Sequence, residues 1–179
     1  GTGAMGRVFR VFDRVFGLEV AAKVLEPGAA LQVPHLQREF RAVSGLVHPN
    51  LVSLFELHPR HDRPDEPFYT MELVADAVPL ERGPRPEHEV LNALCQVVTG
   101  LDALHQAGLV HNDLKPSNVL VCPRTRRVAL ADFGLVSLHG AKTWGATPRY
   151  TAPELWDTGV GDTATDRYAL GVLLYEALT

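Results

Sequence analysis

The apolar positions of the first third come in short runs. "RVFRVFD" and "LEVAAKVL" are rich in Val, Phe and Leu and flank a turn around Arg14–Gly17. Runs of this length and composition between turn residues predict two strands. "PGAALQVP" reads as a loop. In "HLQREFRAVSGLV", Leu36, Phe40, Val43 and Val47 recur at steps of four, three and four, which predicts a helix with one apolar face. "HPN" breaks that helix. "LVSLFEL" and "PFYTMELV" predict two further strands joined by the polar loop "HPRHDRPDE".

The pattern changes after Val74. "ADAVPLERGPRP" is a linker rich in Pro and Gly, and a long helix is predicted from Glu87 to about His105. Val90, Leu94, Val97, Leu101 and Leu104 fall on one face of it. Short strands "LVH", "VLV" and "VALAD" follow, then a polar loop from Ser137 to Tyr150. The last stretch, "DRYALGVLLYEAL", is apolar nearly all round, as in a buried helix. No internal repeat is visible. The expected architecture is α+β, with a β-rich lobe carrying one helix over residues 1–74 and a mainly helical lobe over 75–179.

Composition narrows the classes. The chain has 179 residues, 46% of them hydrophobic and 21% charged, which suits a folded globular protein. A net charge of −4 without any block of Lys or Arg gives no sign of a nucleic-acid or anionic-membrane partner. No stretch approaches the roughly 20 apolar residues of a membrane span, and no signal-peptide pattern is present. Cys95 and Cys122 lack a CxxC or CxxH neighbour and are expected to be buried free thiols. A cytoplasmic location is the default expectation. His48, His58 and His61 are spaced too irregularly for a metal site and read as a solvated loop.

Candidate chemistry begins at the front. "GTGAMGRV" places Gly1, Gly3 and Gly6 in GxGxxGxV spacing between two predicted strands. Glycines allow backbone N–H groups to approach a polyphosphate, although for this motif alone a plain hairpin turn is the better reading. A dinucleotide fingerprint should lead into a helix, and this one does not. Lys23 in "VAAK" is either a lysine snorkelling from a strand or a cation facing phosphates. In the second case Glu39, beside the apolar face of the first helix, is the carboxylate that would hold it.

The second lobe contains "HNDLKPSNVLV". Asp113 and Asn118 stand five apart around Lys115 and Pro116. "DFG", Asp132 to Gly134, adds a carboxylate at a strand end. Phosphoryl transfer asks for such groups: a carboxylate to orient the attacking hydroxyl, and oxygen ligands for a divalent cation across the phosphates. Alone, DFG is an ordinary Asp-Gly turn.

In order along the chain, GxGxxGxV, VAxK, a helical Glu, HxDLKxxN, DFG and APE resemble the eukaryotic-like (Hanks-type) serine/threonine protein kinases, in the style of their bacterial members. The resemblance covers essentially the whole chain. It implies a two-lobed kinase fold, ATP and Mg²⁺ as cofactors, and Ser/Thr hydroxyls of proteins as substrates. It implies that Gly1, Gly3 and Gly6 cover the nucleotide phosphates, and that Lys23 contacts them while paired with Glu39. Asp113 would orient the substrate hydroxyl, with Lys115 near the γ-phosphate and Thr147 bonded to both. Asn118 and Asp132 would hold Mg²⁺. Met71 would guard the back of the adenine pocket, Glu72, Leu73 and Val74 would form the hinge, and Val8, Ala21 and Leu120 would sandwich the base. Val43, Leu54, Phe133 and His111 match an apolar column that Asp166 anchors.

One departure from the pattern stands out. Asn112 occupies a position where most members carry an arginine that receives a phosphorylated activation-segment residue. Asn has neither the charge nor the reach for that bond, so activity is expected not to require phosphorylation of Thr143. Lys142, Arg149 or a basic residue outside these 179 residues is the alternative receiver. Both ends look cut: residue 1 lies inside a motif, and Thr179 follows an uncapped apolar run. A longer chain is therefore expected, and the resemblance to the bacterial members, many of which sit at one end of larger sensor proteins, implies further domains in it. Exposing several Leu, Val and Tyr side chains at about 25 cal/mol per Å² would outweigh a net stability of roughly 5–15 kcal/mol, so the 179 residues are expected to be unstable alone. Two rivals are weighed: a pseudokinase acting as a nucleotide-binding scaffold, and a small-molecule phosphotransferase of similar fold, which would lack "TPRYTAPE".

Overall fold

The computed structural model describes residues 2–3, 6–24, 40–59, 67–80, 86–143 and 146–179. Gly1, Leu36, Glu39 and His61 lie outside the described residues. The chain divides into two compact units, Gly1–Val47 with Val52–Leu73, and His48–Leu51 with Val74–Thr179.

The first unit is a five-stranded antiparallel sheet in the order β1-β2-β3-β5-β4. Its strands are β1 (Thr2–Gly3), β2 (Gly6–Asp13), β3 (Leu18–Val24), β4 (Leu54–His58) and β5 (Phe68–Met71). The β2–β3 hairpin turns at Arg14–Gly17, where the Asp13 carboxylate accepts from Val15 N at 2.8 Å and Phe16 N at 3.0 Å. Opposed pairs Val8–Lys23, Arg10–Ala21, Ala21–Met71 and Lys23–Tyr69 put Val8, Ala21, Lys23, Tyr69 and Met71 on one face. A helical turn at 40–44 packs on this face, with the rings of Phe40 and Tyr69 5.8 Å apart. Val43 is buried as the periodicity predicts. Val47 is not: it lies beyond the end of the helix and is 88% exposed. Phe12, Val15 and Phe16 of the hairpin are also exposed.

The second unit is organised by α1 (Glu87–Gln106), which starts with Glu87 and Glu89 at its positive end. Its predicted face, Val90, Leu94, Val97, Leu101 and Leu104, is buried. Cys95 points off that face and is exposed, contrary to the expectation of two buried thiols; Cys122 is buried, and both are free. Two small sheets follow. In one, β6 (Val78–Pro79), β8 (Val119–Val121) and β9 (Val128–Leu130) pair in that order; in the other, β7 (Leu109–Val110) pairs with β10 (Ser137–Leu138). A short helix, α2 (Pro153–Thr158), starts with Pro at its first position and ends at left-handed Gly159. Then α3 (Thr163–Leu178) begins with a capping box in which Asp162 accepts from Ala164 N and Thr165 N. Asp166, Ala169, Leu173 and Glu176 of α3 are buried, whereas Tyr168, Leu174, Tyr175 and Leu178 are exposed.

Residues 48–51 belong to this second unit for a definite reason. Asn50 donates to Gln96 Oε1 at 3.0 Å and Val128 O at 2.7 Å, and accepts from Thr99 Oγ1 at 2.9 Å. Gly100 of α1 admits the approach: a Cβ there would lie 2.7 Å from Asn50 O. Gly100→Ala gains up to about 1 kcal/mol of helix propensity, but forcing backbone apart costs roughly 1–3 kcal/mol. A net loss in urea unfolding of the full-length protein is the expected result, and a more stable variant would contradict this packing.

Candidate active site

The loop from His111 to Asn118 is held from beneath by one carboxylate. Asp166, only 1% exposed, accepts from His111 N and Asn112 N at 2.9 Å each, and its Oδ2 lies 2.8 Å from His105 Nε2. His111 Nε2 donates to Ala131 O at 3.3 Å, while its Nδ1 faces Asp113 N. Its ring stacks at a tilt on Phe133, with centroids 5.8 Å apart. The loop that carries Asp113 and the chain that carries Asp132 are thereby joined.

Asp113 is the hub. It is 3% exposed, and donors surround its carboxylate. Thr147 N and Thr147 Oγ1 donate to Oδ1 at 3.1 and 2.7 Å. Lys115 Nζ lies 2.6 Å from Oδ2 and 3.0 Å from Thr147 Oγ1. Asn118 Nδ2 donates to Asp113 O at 2.8 Å and to Oδ2 at 3.2 Å. Pro116 opens the single 3₁₀ turn Pro116–Asn118 that brings Asn118 back toward Asp113. Four residues named from the sequence thus meet at one carboxylate.

Asn118 also meets the strand leading to Asp132. Val119 opposes Leu130 in the β8–β9 pair, and Ala131 N donates to Asn118 O at 2.9 Å. Asp132 follows Ala131 directly, in left-handed backbone with φ 63°, as Asn112 also is. Such a conformation costs roughly 1–2 kcal/mol for a residue with a Cβ, and strained positions collect at functional sites.

In the first unit, Lys23 is 4% exposed on the same sheet face as Val8, Ala21 and Met71. Glu72 N donates to Ser53 O at 2.9 Å, while Leu73 and Val74 are half-buried. Gly3 and Gly6 are register partners at the β1–β2 turn. Leu120 sits in β8, opposite Ala129 and Pro79. Val43 and Leu54 are both buried. In the first unit His58 stacks on Phe68, in the second His48 Nδ1 accepts from Asn50 N, and no cluster of three metal-ligating side chains occurs among the described residues.

A protein kinase domain model matches residues 1–179, the full length of the chain. The chain belongs to the protein kinase domain family. Among its curated relatives, the serine/threonine-protein kinase PknL of Mycobacterium tuberculosis is 37% identical, over 99% of this chain and 47% of the relative. PrkC of Bacillus subtilis is 30% identical over 100% of this chain and 29% of its own length. Calcium/calmodulin-dependent protein kinase type 1B of Rattus norvegicus is 32% identical over 98% and 53%. This kinase domain therefore spans about half or less of the relatives it matches. The α+β fold, with its antiparallel first-unit sheet and helical second unit, is that of the family.

Sequence reading missed the surroundings of these groups. Ser137, Leu135 and Gly161 all touch Asn112. His105, which closes on Asp166, was seen only as a helix end. Among the described residues, no helix of this kinase domain is long and apolar enough to cross a membrane.

Proposed function

We propose that the protein transfers the γ-phosphoryl group of ATP to serine and threonine hydroxyls of protein substrates. The observation that carries this reading is the buried Asp113 carboxylate, bonded at once to Lys115, Thr147 and Asn118. Positioning and charge neutralisation are what phosphoryl transfer requires of a protein. Asp113 would orient the incoming hydroxyl and take its proton, and Lys115 would offset charge developing on the transferred group. Thr147, joined to both, would lock their spacing. The names of the relatives favour the serine/threonine class.

Asn118 and Asp132 fit a Mg²⁺ site. The Asn118 amide nitrogen is engaged by Asp113, which leaves Oδ1 as the atom that would meet an ion; among the described residues Ser117 Oγ donates to it at 3.3 Å. A carboxamide oxygen and a carboxylate are hard donors suited to this ion. When bound, Mg²⁺ neutralises phosphate charge. Lys23 with Glu39 would hold the α/β-phosphates beneath the loop of Gly1, Gly3 and Gly6. Met71, Glu72, Leu73, Val74, Val8, Ala21 and Leu120 would receive the adenine. A cytoplasmic site of action and further domains in the whole protein complete the proposal.

Phosphoamino-acid analysis of a protein substrate labelled from ATP tests this reading. Phosphoserine or phosphothreonine, lost on chelating Mg²⁺, is expected. Bound nucleotide without transfer would point instead to a scaffold.

Thr143 is buried, its N donates to Gly159 O at 2.8 Å, and the backbone of Lys142 pairs with that of Val160 in an isolated antiparallel bridge. The alternative receiver Arg149 is already paired with Glu176. Thr143→Ala in the full-length protein is expected to keep activity within about threefold. A large loss with folding retained would mean that phosphorylation is required.

A further inference from the structure

The side chain of Asn112 is buried and its backbone is left-handed, an arrangement that invites a reason. Its amide nitrogen lies 3.1 Å from Val110 O, 2.9 Å from Leu135 O and 2.9 Å from Ser137 Oγ, so two N–H bonds serve three acceptors. Among the described residues its Oδ1 is buried without a hydrogen-bond partner, and it faces Gly161, where a Cβ would lie only 2.0 Å away. Leaving a buried carbonyl unpaired works against stability, so packing alone does not explain the residue. What the arrangement does provide is a link. Val110 lies three residues before Asp113, and Leu135 lies three after Asp132. One amide therefore ties the loop bearing one carboxylate to the segment leaving the other, and it reinforces the β7–β10 pair, where Val110 opposes Ser137.

Resting on the kinase reading above, we propose that Asn112 is a positioning residue: a neutral clasp that fixes residues 135–137 to the Asp113 loop without a phosphoryl group, in a space that Gly161 leaves open. The clasp depends on donation by the amide and on the small neighbour. Together these two features hold the segment with no arginine at this position.

The test uses the full-length protein, dephosphorylated, as wild type, Asn112→Asp, Asn112→Ala, Ser137→Ala and the Asn112→Ala/Ser137→Ala pair. Asn112→Asp keeps the size but removes the donor. It is expected to lower kcat at saturating ATP by about 10–100-fold while the KM for ATP changes by less than about threefold. Amide hydrogen exchange at 135–138 should quicken by about tenfold or more, with α1 and α3 unchanged. Ser137→Ala, a small change that folding should tolerate, is expected to lower kcat about two- to fivefold alone and to add nothing in the Asn112→Ala background.

Wild-type kcat in Asn112→Asp, additive effects in the double variant, or exchange that quickens equally in α1 and α3 would each overturn the clasp. A dephosphorylated wild type that transfers no phosphate would instead overturn the kinase reading or its independence of phosphorylation. In that case the exchange data at 135–138 still decide whether the clasp exists.

Discussion

Asp113→Asn in the full-length protein is expected to lower kcat by about 10²–10⁴-fold while leaving nucleotide affinity within about threefold. The asymmetry follows from where the donors lie. Thr147 N and Oγ1 address one carboxylate oxygen, and Lys115 and Asn118 address the other. An amide NH₂ turned either way meets hydrogen-bond donors where it needs acceptors. The substitution therefore removes the proton acceptor and also loosens Lys115 and Thr147, two of the groups proposed to sit at the reacting phosphate. Leaving buried partners unsatisfied adds a stability loss of roughly 1–3 kcal/mol, which urea unfolding would detect. The proposed adenine contacts, Met71 to Val74, are untouched. Steady-state kinetics beside nucleotide titration checks the claim, and a variant that keeps a tenth of wild-type kcat would remove Asp113 from its proposed role.

The second large effect concerns folding. Asp166→Ala strips the shared acceptor from His111 N and Asn112 N and leaves His105 without its 2.8 Å partner. All three bonds converge on a carboxylate that is 1% exposed. Leaving a buried donor without its acceptor costs about 1–3 kcal/mol, so losing the acceptor shared by three groups removes a large part of a typical net stability of roughly 5–15 kcal/mol. Asp166→Asn keeps one acceptor oxygen and should fall between the variant and the wild type. Chemical denaturation of the full-length protein measures both. A loss under about 1 kcal/mol for Asp166→Ala would mean that the His111–Asn112 backbone is held by something else.

The legible parts of the molecule were those whose cause is local. The period of Val90, Leu94, Val97, Leu101 and Leu104 predicts α1 and its buried face, because a 3.6-residue repeat has one geometric reading. Spacing within "HNDLKPSN" brings Asp113, Lys115 and Asn118 together through a single Pro-initiated turn. Less was readable where the partner is distant. In "RVFRVFD" the apolar residues repeat every three positions, which matches no strand face, so the exposure of Phe9 and Phe12 could not be anticipated. Strand β6 lies in a Pro- and Gly-rich stretch and owes its existence to pairing with β8, some 40 residues on.

Val47 continued the apolar period of its helix on paper, but the helix had already ended. Asn112 is the clearest case. The sequence marked it as a departure and showed what it lacks. What it does became visible only once Leu135, Ser137 and Gly161 were placed around it.

The central claim, serine/threonine phosphoryl transfer centred on Asp113, is tested most directly by one parallel assay. Wild-type full-length protein and Asp113→Asn are given labelled Mg·ATP and a protein substrate, and the product is resolved into its phosphoamino acids. The account predicts phosphoserine or phosphothreonine from the wild type and almost none from the variant. Equal labelling by both proteins, or phosphotyrosine as the product, would contradict it.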